Sequence, residues 1–143
     1  MQASKTIIDL LAAGSPNAIA LAAPSRPHLT YDALRQQIAR TLATLNALGV
    51  GRSDRVALVL PNGPAMASAF LAVACCATAA PLNPGYRADE FEFYLNDLRA
   101  KALIVERGID SPAIEVARKL GVRLIELVDS AAAPAGAFEL AAV

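Results

Sequence analysis

The sequence predicts an α/β fold of three layers, in which a mainly parallel β-sheet lies between helices. Two observations lead to this prediction. Short apolar runs such as Arg55–Leu60 lack polar–apolar alternation, which is typical of strands buried on both faces. These runs alternate with longer segments in which apolar residues recur every three or four positions, as in amphipathic helices. The alternation indicates β-α-β units, whose right-handed crossovers place helices on both faces of the sheet.

The first elements are short and are separated by turn residues. Apolar spacing predicts a helix over Ser4–Ala13, which ends at the breaker residues of positions 14–17. Weak alternation predicts a strand over Ala18–Ala23. The tight connection at Pro24–Leu29 then favours a hairpin.

The longest helix comes next, because apolar residues form one stripe along it. Thr30 is its predicted N-cap, since a threonine hydroxyl can accept a bond from a free backbone N–H group. Gly49 stands where a left-handed residue commonly ends a helix. The apolar stripe consists of Tyr31, Leu34, Ile38, Leu42, Leu45 and Leu48. The polar face consists of Arg35, Gln36, Arg40 and Thr44.

Beyond Gly49, strands and helices alternate, with turn residues between them. The helix over Ala65–Cys76 is apolar nearly all round, which predicts complete burial, and we expect a buried strand after it. Gly121 is expected to stop the last helix. The predicted strands are Arg55–Leu60, Ala77–Leu82, Ala102–Val105 and Arg123–Val128, and the predicted helices are Ala65–Cys76, Ala88–Leu98 and Pro112–Leu120.

The composition of the chain changes after residue 130. Residues 131–136 are Ala, Pro and Gly, which is typical of a linker, and Phe138–Val143 follows as a short stub. We therefore assign residues 1–130 to one α/β subdomain. Residues 131–143 are interpreted as a linker or the start of a following segment.

Charge and hydropathy exclude several classes of partner. The chain has 143 residues with 13 basic and 13 acidic side chains, so its formal net charge is zero. Nucleic-acid binding and electrostatic membrane anchoring both need clustered basic residues, so neither is expected. The apolar stretch Ala65–Leu82 is rich in alanine and contains Pro81, which disfavours a membrane span. Two adjacent cysteines without disulfide or metal spacing favour a reducing cytoplasm.

Most residues with catalytic potential have simpler structural explanations. Gly49-Val50-Gly51 follows a predicted helix, whereas a dinucleotide-binding loop follows a strand. His28 falls in the predicted hairpin without a partner for acid–base work. Cys75 and Cys76 end an apolar helix and lack the cationic neighbour that lowers a thiol pKa. We therefore expect His28 to be a surface turn residue, and we expect the thiols of Cys75 and Cys76 to be buried and unreactive.

An acidic cluster of Asp89, Glu90 and Glu92 lies at a predicted helix start. Paired carboxylates can act in acid–base catalysis. Negative charge is also favourable at a helix N-terminus, and this explanation needs no further assumption. We therefore interpret these residues as helix-start residues and expect no metal site.

Two turns have a position that favours ligand binding. Pro61–Gly63 (PNG) and Pro81–Tyr86 (PLNPGY) each coincide with the end of a predicted buried strand. In open parallel sheets, ligands bind beyond the carboxyl ends of strands. Ordinary turns have the same composition, so two interpretations of each segment stay open, a ligand-binding loop and a structural turn.

Four segments, in this order, resemble motifs of the adenylate-forming superfamily of acyl-CoA synthetases, luciferases and peptide-synthetase adenylation domains. The segments are residues 29–34 (LTYDAL), 49–57 (GVGRSDRVA), 60–63 (LPNG) and 81–86 (PLNPGY). The resemblance spans roughly residues 30–128. A narrower resemblance, to the oxalate–CoA ligase branch, rests on residues 78–84 (TAAPLNP), 90–98 (EFEFYLNDL) and 101–103 (KAL).

The resemblance implies the N-terminal subdomain of the adenylate-forming fold, within a parent enzyme that joins a small carboxylic acid to CoA. Such enzymes convert ATP, the acid and CoA into acyl-CoA, AMP and pyrophosphate, and Mg²⁺ bridges the phosphates. Ser53 and Cys76 depart from the family, which usually has glycine at both places. The phosphate loop with its lysine, the hinge aspartate and the C-terminal lid have no matching positions. We therefore expect a scaffold role, no catalytic residue and no activity for this chain alone.

One binding residue carries over from the resemblance. In relatives, the loop after the LNP motif can lie near the nucleotide phosphate of CoA, and Arg87 is beside that loop here. An arginine at a helix start can bind a phosphate. The alternative is an ordinary solvated arginine.

Two other interpretations stay open beside the ligase. The chain can be a stand-alone small α/β module that binds a nucleotide, or a dimerisation module. On the ligase interpretation, strands without neighbours leave open sheet edges and apolar surface. We therefore expect the isolated chain to self-associate as a dimer.

Overall fold

A computed structural model describes residues 5–143 and confirms the α/β prediction. The elements in chain order are α1 (Ile7–Leu11), β1 (Ile19–Leu21), β2 (Leu29–Thr30), α2 (Tyr31–Ala47), β3 (Arg55–Val59), α3 (Pro64–Ala74), β4 (Thr78–Pro81), α4 (Ala88–Leu98), β5 (Ala102–Glu106), α5 (Pro112–Leu120), β6 (Arg123–Asp129) and β7 (Phe138–Ala142). Within the described residues, no helix combines the length and hydrophobicity needed to cross a bilayer.

The main sheet has five strands in the order β4-β3-β5-β6-β7. The first four strands in this order are parallel, and β7 pairs with β6 in the antiparallel direction. Ala57 of β3 lies between Ala80 of β4 and Leu103 of β5. The carboxyl ends of β3, β4, β5 and β6 therefore meet at one edge of the sheet.

Strand β3 is buried on both faces, as its continuous apolar run predicts. Val56 and Leu58 pack with α2 and α3 on one face, and both side chains are 0% exposed. Ala57 and Val59 pack with α4 and α5 on the other face, and they are equally inaccessible. The sheet is thus the middle layer of three, and burial of large apolar side chains contributes roughly 1.5–3 kcal/mol each.

The hairpin of β1 and β2 forms a second, two-stranded sheet and confirms the predicted turn. It packs with α2 and α3 in a separate apolar cluster built around Leu29, Leu34, Ile38 and Ala72. Thr30 caps α2, because its hydroxyl accepts the N–H of Ala33 at 3.2 Å.

Helices α4 and α5 have the predicted bounds. Gly121 ends α5 at φ 71°, in the left-handed region where glycine has no steric penalty. Arg99 ends α4 in the same region, at φ 50°, although it is not a glycine.

Two predictions of complete burial are wrong. Helix α3 buries one face, and Phe70 on its other face is 39% exposed. Within residues 5–143, strand β4 pairs with β3 alone and forms an edge of the sheet, and its residues are half-buried or exposed. Both segments are rich in alanine. Because alanine is small and apolar, it is compatible with buried and with exposed positions, so it does not indicate which face of a helix or strand is buried.

Residues 131–143, which we interpreted as a linker or the start of a following segment, contain a strand of the main sheet. Phe138–Ala142 forms β7, the antiparallel edge strand of the main sheet. Ala135 is 0% exposed and Phe138 is 6% exposed, so the preceding segment is partly buried as well. The first helix is shorter than the predicted Ser4–Ala13, and Ser4 itself lies outside the described residues.

A buried polar contact joins α2 to β7. Gln37 is 2% exposed, and its amide nitrogen donates to the carbonyl of Phe138 at 2.9 Å. The N–H of Phe138 donates in return to the amide oxygen of Gln37 at 3.3 Å. One side chain therefore satisfies both backbone groups of a residue at the sheet edge.

Gln37→Met is expected to lower the free energy of unfolding by about 1–3 kcal/mol, because it leaves the backbone groups of Phe138 without partners. Chemical denaturation measures this change. Gln36→Met is the matched control, since Gln36 is exposed one position earlier and its side-chain amide donates to Asp32 on the same helix. Equal effects of the two substitutions would contradict the role of Gln37.

Candidate ligand-binding edge

The loops with ligand-binding potential lie together because four parallel strands end at one edge. The PNG turn follows β3, and the loop with Asn83 and Gly85 follows β4. A cleft of about 130 Å³ opens at this edge beside the PNG turn. Its lining residues are Leu60, Pro61, Asn62, Gly63, Pro64, Ala65, Met66, Glu106, Leu127 and Asp129.

The polar groups of the cleft come from three strand ends. Asn62 follows β3, Glu106 is the last residue of β5, and Asp129 is the last residue of β6. The lining therefore offers one amide and two carboxylates, and no cation. Such a set can bind hydrogen-bond donors, but it repels the phosphates of a nucleotide.

Asp129 is already occupied by Arg26, which reaches it from the hairpin. The two guanidinium nitrogens donate to the two carboxylate oxygens at 3.1 and 2.8 Å. The hydrogen bonds with Asp129 raise the pKa of Arg26 above its ordinary value. Asp129 therefore serves as an ion-pair partner, and Glu106 is the carboxylate of the cleft that remains for a ligand.

Arg26 also holds the segment that follows β6. Its guanidinium donates to the carbonyl oxygens of Ser130, Ala133 and Pro134 at 2.9–3.2 Å. The side chain is 14% exposed, so these bonds are partly shielded from water. This contact fixes the segment that carries the chain from β6 towards β7.

The loop after β4 is shaped by its own hydrogen bonds. The side chain of Asn83 accepts the N–H of Gly85 at 2.8 Å, and its carbonyl accepts the N–H of Tyr86 at 3.1 Å. The Tyr86 ring stacks on Tyr94 at 5.1 Å and meets the edge of Phe91 at 5.8 Å. The loop is thus anchored on α4 by aromatic contacts.

Arg87 is the N-terminal cap residue of α4. Its backbone N–H donates to the carboxylate of Glu90 at 2.7 Å. The side chain is 81% exposed, and its nearest acidic group is Asp89, with Nε and Oδ1 3.9 Å apart. The guanidinium is therefore available to a ligand, but Arg87 does not line the cleft beside the PNG turn.

The remaining acidic residues have structural roles at α4. Glu90 completes the cap at the helix start, and Glu92 forms an ion pair with Lys119 of α5 at 2.9 Å. Between residues 5 and 143, no three carboxylate, thiol or imidazole groups are placed to share a metal ion.

The histidine and the thiols lie away from this edge. His28 is exposed in the connection between β1 and β2. Cys75 and Cys76 are half-buried at the C-terminal end of α3. Burial raises the pKa of both thiols, and Asp54 raises that of Cys76 further. The thiols are thus half-buried and not buried as predicted, and their raised pKa values favour the protonated form.

Three residues of the edge were missed by the sequence reasoning: Arg26, Glu106 and Asp129. A signal existed for two of them, because Glu106 and Asp129 are acidic residues at the ends of apolar strand runs. Polar residues at that position project into the edge where ligands of parallel sheets bind. Nothing local in the sequence marks Arg26, whose partner is far away along the chain.

Comparisons with known proteins agree on one family. The pattern of the family described as AMP-binding enzyme matches residues 9–141. A probable CoA ligase of Humulus lupulus is 45% identical over 97 residues, which are 66% of this chain and 18% of that protein. An oxalate–CoA ligase of Arabidopsis thaliana is 38% identical over 118 residues, which are 81% of this chain and 23% of that protein.

Solved structures support the fold. The crystal structure of apo MatB from Rhodopseudomonas palustris superposes with a TM-score of 0.76 at 21% identity, over 86% of this chain and 25% of that one. A Mycobacterium tuberculosis fatty acyl CoA synthetase superposes with a TM-score of 0.64 at 28% identity, over 80% of this chain and 22% of that one. The chain spans about a fifth to a quarter of the length of these relatives.

The folded chain is expected to react slowly with iodoacetamide, because burial keeps Cys75 and Cys76 protonated. The alkylation rate should rise with pH with a midpoint above the ordinary pKa of a thiol. The chain unfolded in denaturant is the control and should titrate near its ordinary pKa. A midpoint at or below the ordinary value in the folded chain would contradict this account.

Proposed function

Because the chain belongs to the AMP-binding enzyme family, we propose that it forms the N-terminal region of an AMP-forming acid–CoA ligase. The reaction converts ATP, a carboxylic acid and CoA into acyl-CoA, AMP and pyrophosphate. The observation that carries the proposal is the family match over residues 9–141, which includes both loops at the carboxyl edge. Mg²⁺ is the proposed metal, since it bridges nucleotide phosphates.

We propose a small carboxylic acid as the substrate, with oxalate as the first candidate. Two relatives are named oxalate–CoA ligase, one from Arabidopsis thaliana and one, 41% identical over 83 residues, from Saccharomyces cerevisiae. The motifs of residues 78–84 and 90–98 support the same choice. A cytoplasmic location is part of the proposal.

The role of this chain within the ligase is that of a scaffold. Adenylate formation develops negative charge on phosphate oxygens, which positioned cations and N–H groups stabilise. The cleft beside the PNG turn has two carboxylates and no cation, and Arg26 is bound to Asp129. We therefore propose that the groups that bind the phosphates of ATP come from other parts of the ligase, and that residues 1–143 alone are inactive.

We also propose that the isolated chain self-associates. Its net charge is zero, so long-range repulsion between copies is weak. The two outer strands of the main sheet, β4 and β7, each have a neighbour on one side within the described residues. Unpaired strand edges favour association.

The ligase that contains this region is expected to release AMP and pyrophosphate when it receives ATP, Mg²⁺, CoA and oxalate, with one acyl-CoA formed per AMP. Chromatography of the nucleotides measures this. Residues 1–143 alone serve as the control and should turn over no ATP. Release of ADP and phosphate, or turnover by residues 1–143, would overturn the proposal.

We propose that the exposed guanidinium of Arg87 binds a phosphate of CoA. Arg87→Ala in the ligase is then expected to raise the KM for CoA about fivefold, because this interaction is removed. The KM for ATP should stay unchanged. Arg52→Ala is the matched control, since Arg52 is an exposed arginine at the opposite, amino-terminal edge of the sheet. An unchanged KM for CoA in the Arg87 variant would refute the assignment.

A further inference from the structure

The segment between β6 and β7 is bound to the hairpin of β1 and β2, which lies far away along the chain. The N–H of Ala135 donates to the carbonyl of Pro27 in the hairpin at 2.9 Å. Arg26, the residue before Pro27, donates to three carbonyl groups of residues 130–134 at 2.9–3.2 Å. We call residues 130–137 the strap. The hairpin and the strap are therefore joined by backbone and side-chain hydrogen bonds.

Gly136 allows the strap to approach the hairpin closely. Its φ is 86°, in the left-handed region that favours glycine. A Cβ atom at this position would lie 2.6 Å from Cδ1 of Leu21 in β1 and 3.3 Å from the carbonyl oxygen of Pro64 in α3. The strap thus fits between β1 and the start of α3 because residue 136 has no side chain.

The hairpin and the strap also share apolar contacts. Leu21 of β1 and Ala137 of the strap pack against one cluster, whose buried members include Leu29 and Ala72. The strands of the main sheet belong to two other clusters. Elements that share their own contacts can unfold locally while the rest of a protein stays folded. The hairpin and the strap meet this condition together.

These shared contacts end at β7. Phe138, the first residue of β7, is 6% exposed and belongs to a core cluster of the main sheet. Gln37 of α2 bonds to both of its backbone groups. We therefore expect β7 to stay on β6 when the strap before it opens.

Two polar contacts connect the hairpin and the strap to the parts that stay folded. Ser68 of α3 is 0% exposed, and its hydroxyl donates to the carbonyl of Gly136 in the strap at 2.6 Å. Arg26 of the hairpin forms its ion pair with Asp129, the last residue of β6, at 2.8 Å. Both contacts are lost when the hairpin and the strap open.

We propose that the hairpin and the strap form one cooperative unit, which opens and closes as a whole while the five-stranded sheet stays folded. Opening withdraws Arg26 from Asp129, because Arg26 belongs to the hairpin and Asp129 to the sheet. The cleft beside the PNG turn, where Glu106 offers one carboxylate, then offers that of Asp129 as well. The unit thus controls the charge of the carboxyl edge, and the inference is independent of the ligase proposal.

Native-state hydrogen exchange tests whether the unit opens as a whole. Tyr31 reports on the hairpin, because its N–H donates to Ala18 at 3.0 Å, and Ala137 reports on the strap, because its N–H donates to Pro134 at 3.0 Å. In the unmodified chain, both amides should exchange with the same opening free energy and the same denaturant dependence, and faster than the buried amides of β5. Different values for the two amides would overturn the common unit.

Ser68→Ala removes a contact of the strap and should also speed exchange in the hairpin. It leaves the buried carbonyl of Gly136 without this partner, so the amides of Ala137 and Tyr31 should both exchange about tenfold faster. Ser111→Ala is the matched control, since Ser111 is a buried serine that caps α5, outside the unit. It should leave both exchange rates unchanged.

The other outcomes of this comparison contradict the proposal. Faster exchange of Ala137 alone would show that the strap opens without the hairpin. Unchanged exchange of both amides would show that the contact of Ser68 survives opening. An equal effect of Ser111→Ala would show that these amides exchange only through unfolding of the whole chain.

Asp129→Ala tests the change of charge at the carboxyl edge. If opening separates Arg26 from Asp129, the substitution should speed exchange of the Tyr31 and Ala137 amides about fivefold. Glu126→Ala is the matched control, since Glu126 is an acidic residue of β6 that pairs with Arg107 outside the unit, and it should change neither rate. Unchanged rates in the Asp129 variant would show that the ion pair stays closed, and faster exchange of Tyr31 alone would overturn the common unit.

Discussion

The parallel alignment of β3, β4, β5 and β6 is the constraint on which the rest of this structure depends. Parallel strands need crossover connections, which supply the helices on both faces of the sheet. The inner strands are therefore buried on both sides, and β3 shows this in the complete inaccessibility of Val56 to Val59. The same alignment brings the carboxyl ends of all four strands, and the loops that follow them, to one edge.

This edge explains what the chain contributes to an AMP-binding enzyme. It places Asn62, Glu106 and Asp129 around a small cleft, but Arg26 neutralises Asp129 and no lining residue is cationic. In the proposed ligase, this edge is a surface that other parts of the enzyme complete, and those parts supply the positive charge that phosphate chemistry needs. The contacts of Arg26 with residues 129–134 hold this edge in a defined shape.

The sequence predicted the elements whose signals are local. Caps and apolar spacing gave the bounds of α4 and α5, and Gly121 ended α5 as expected. The exposed face of α3 was not predicted, because the helix is rich in alanine, which is equally compatible with burial and exposure. The segment after residue 130 has the composition of a linker, and no local signal in it predicts β7. That strand is defined by its pairing with β6 and by the contact of Phe138 with Gln37, which lies 101 positions away in the sequence. The ion pair of Arg26 and Asp129, 103 positions apart, was hidden for the same reason.

Nuclear Overhauser effects between backbone protons test the parallel alignment most directly. The account predicts contacts that place Ala57 beside both Ala80 and Leu103 in parallel register, without the close Hα–Hα pairs of antiparallel strands. Close Hα–Hα pairs should occur between β6 and β7 alone within the five-stranded sheet. Strong Hα–Hα contacts between β3 and either neighbour would show opposed strands, and the shared carboxyl edge would not exist.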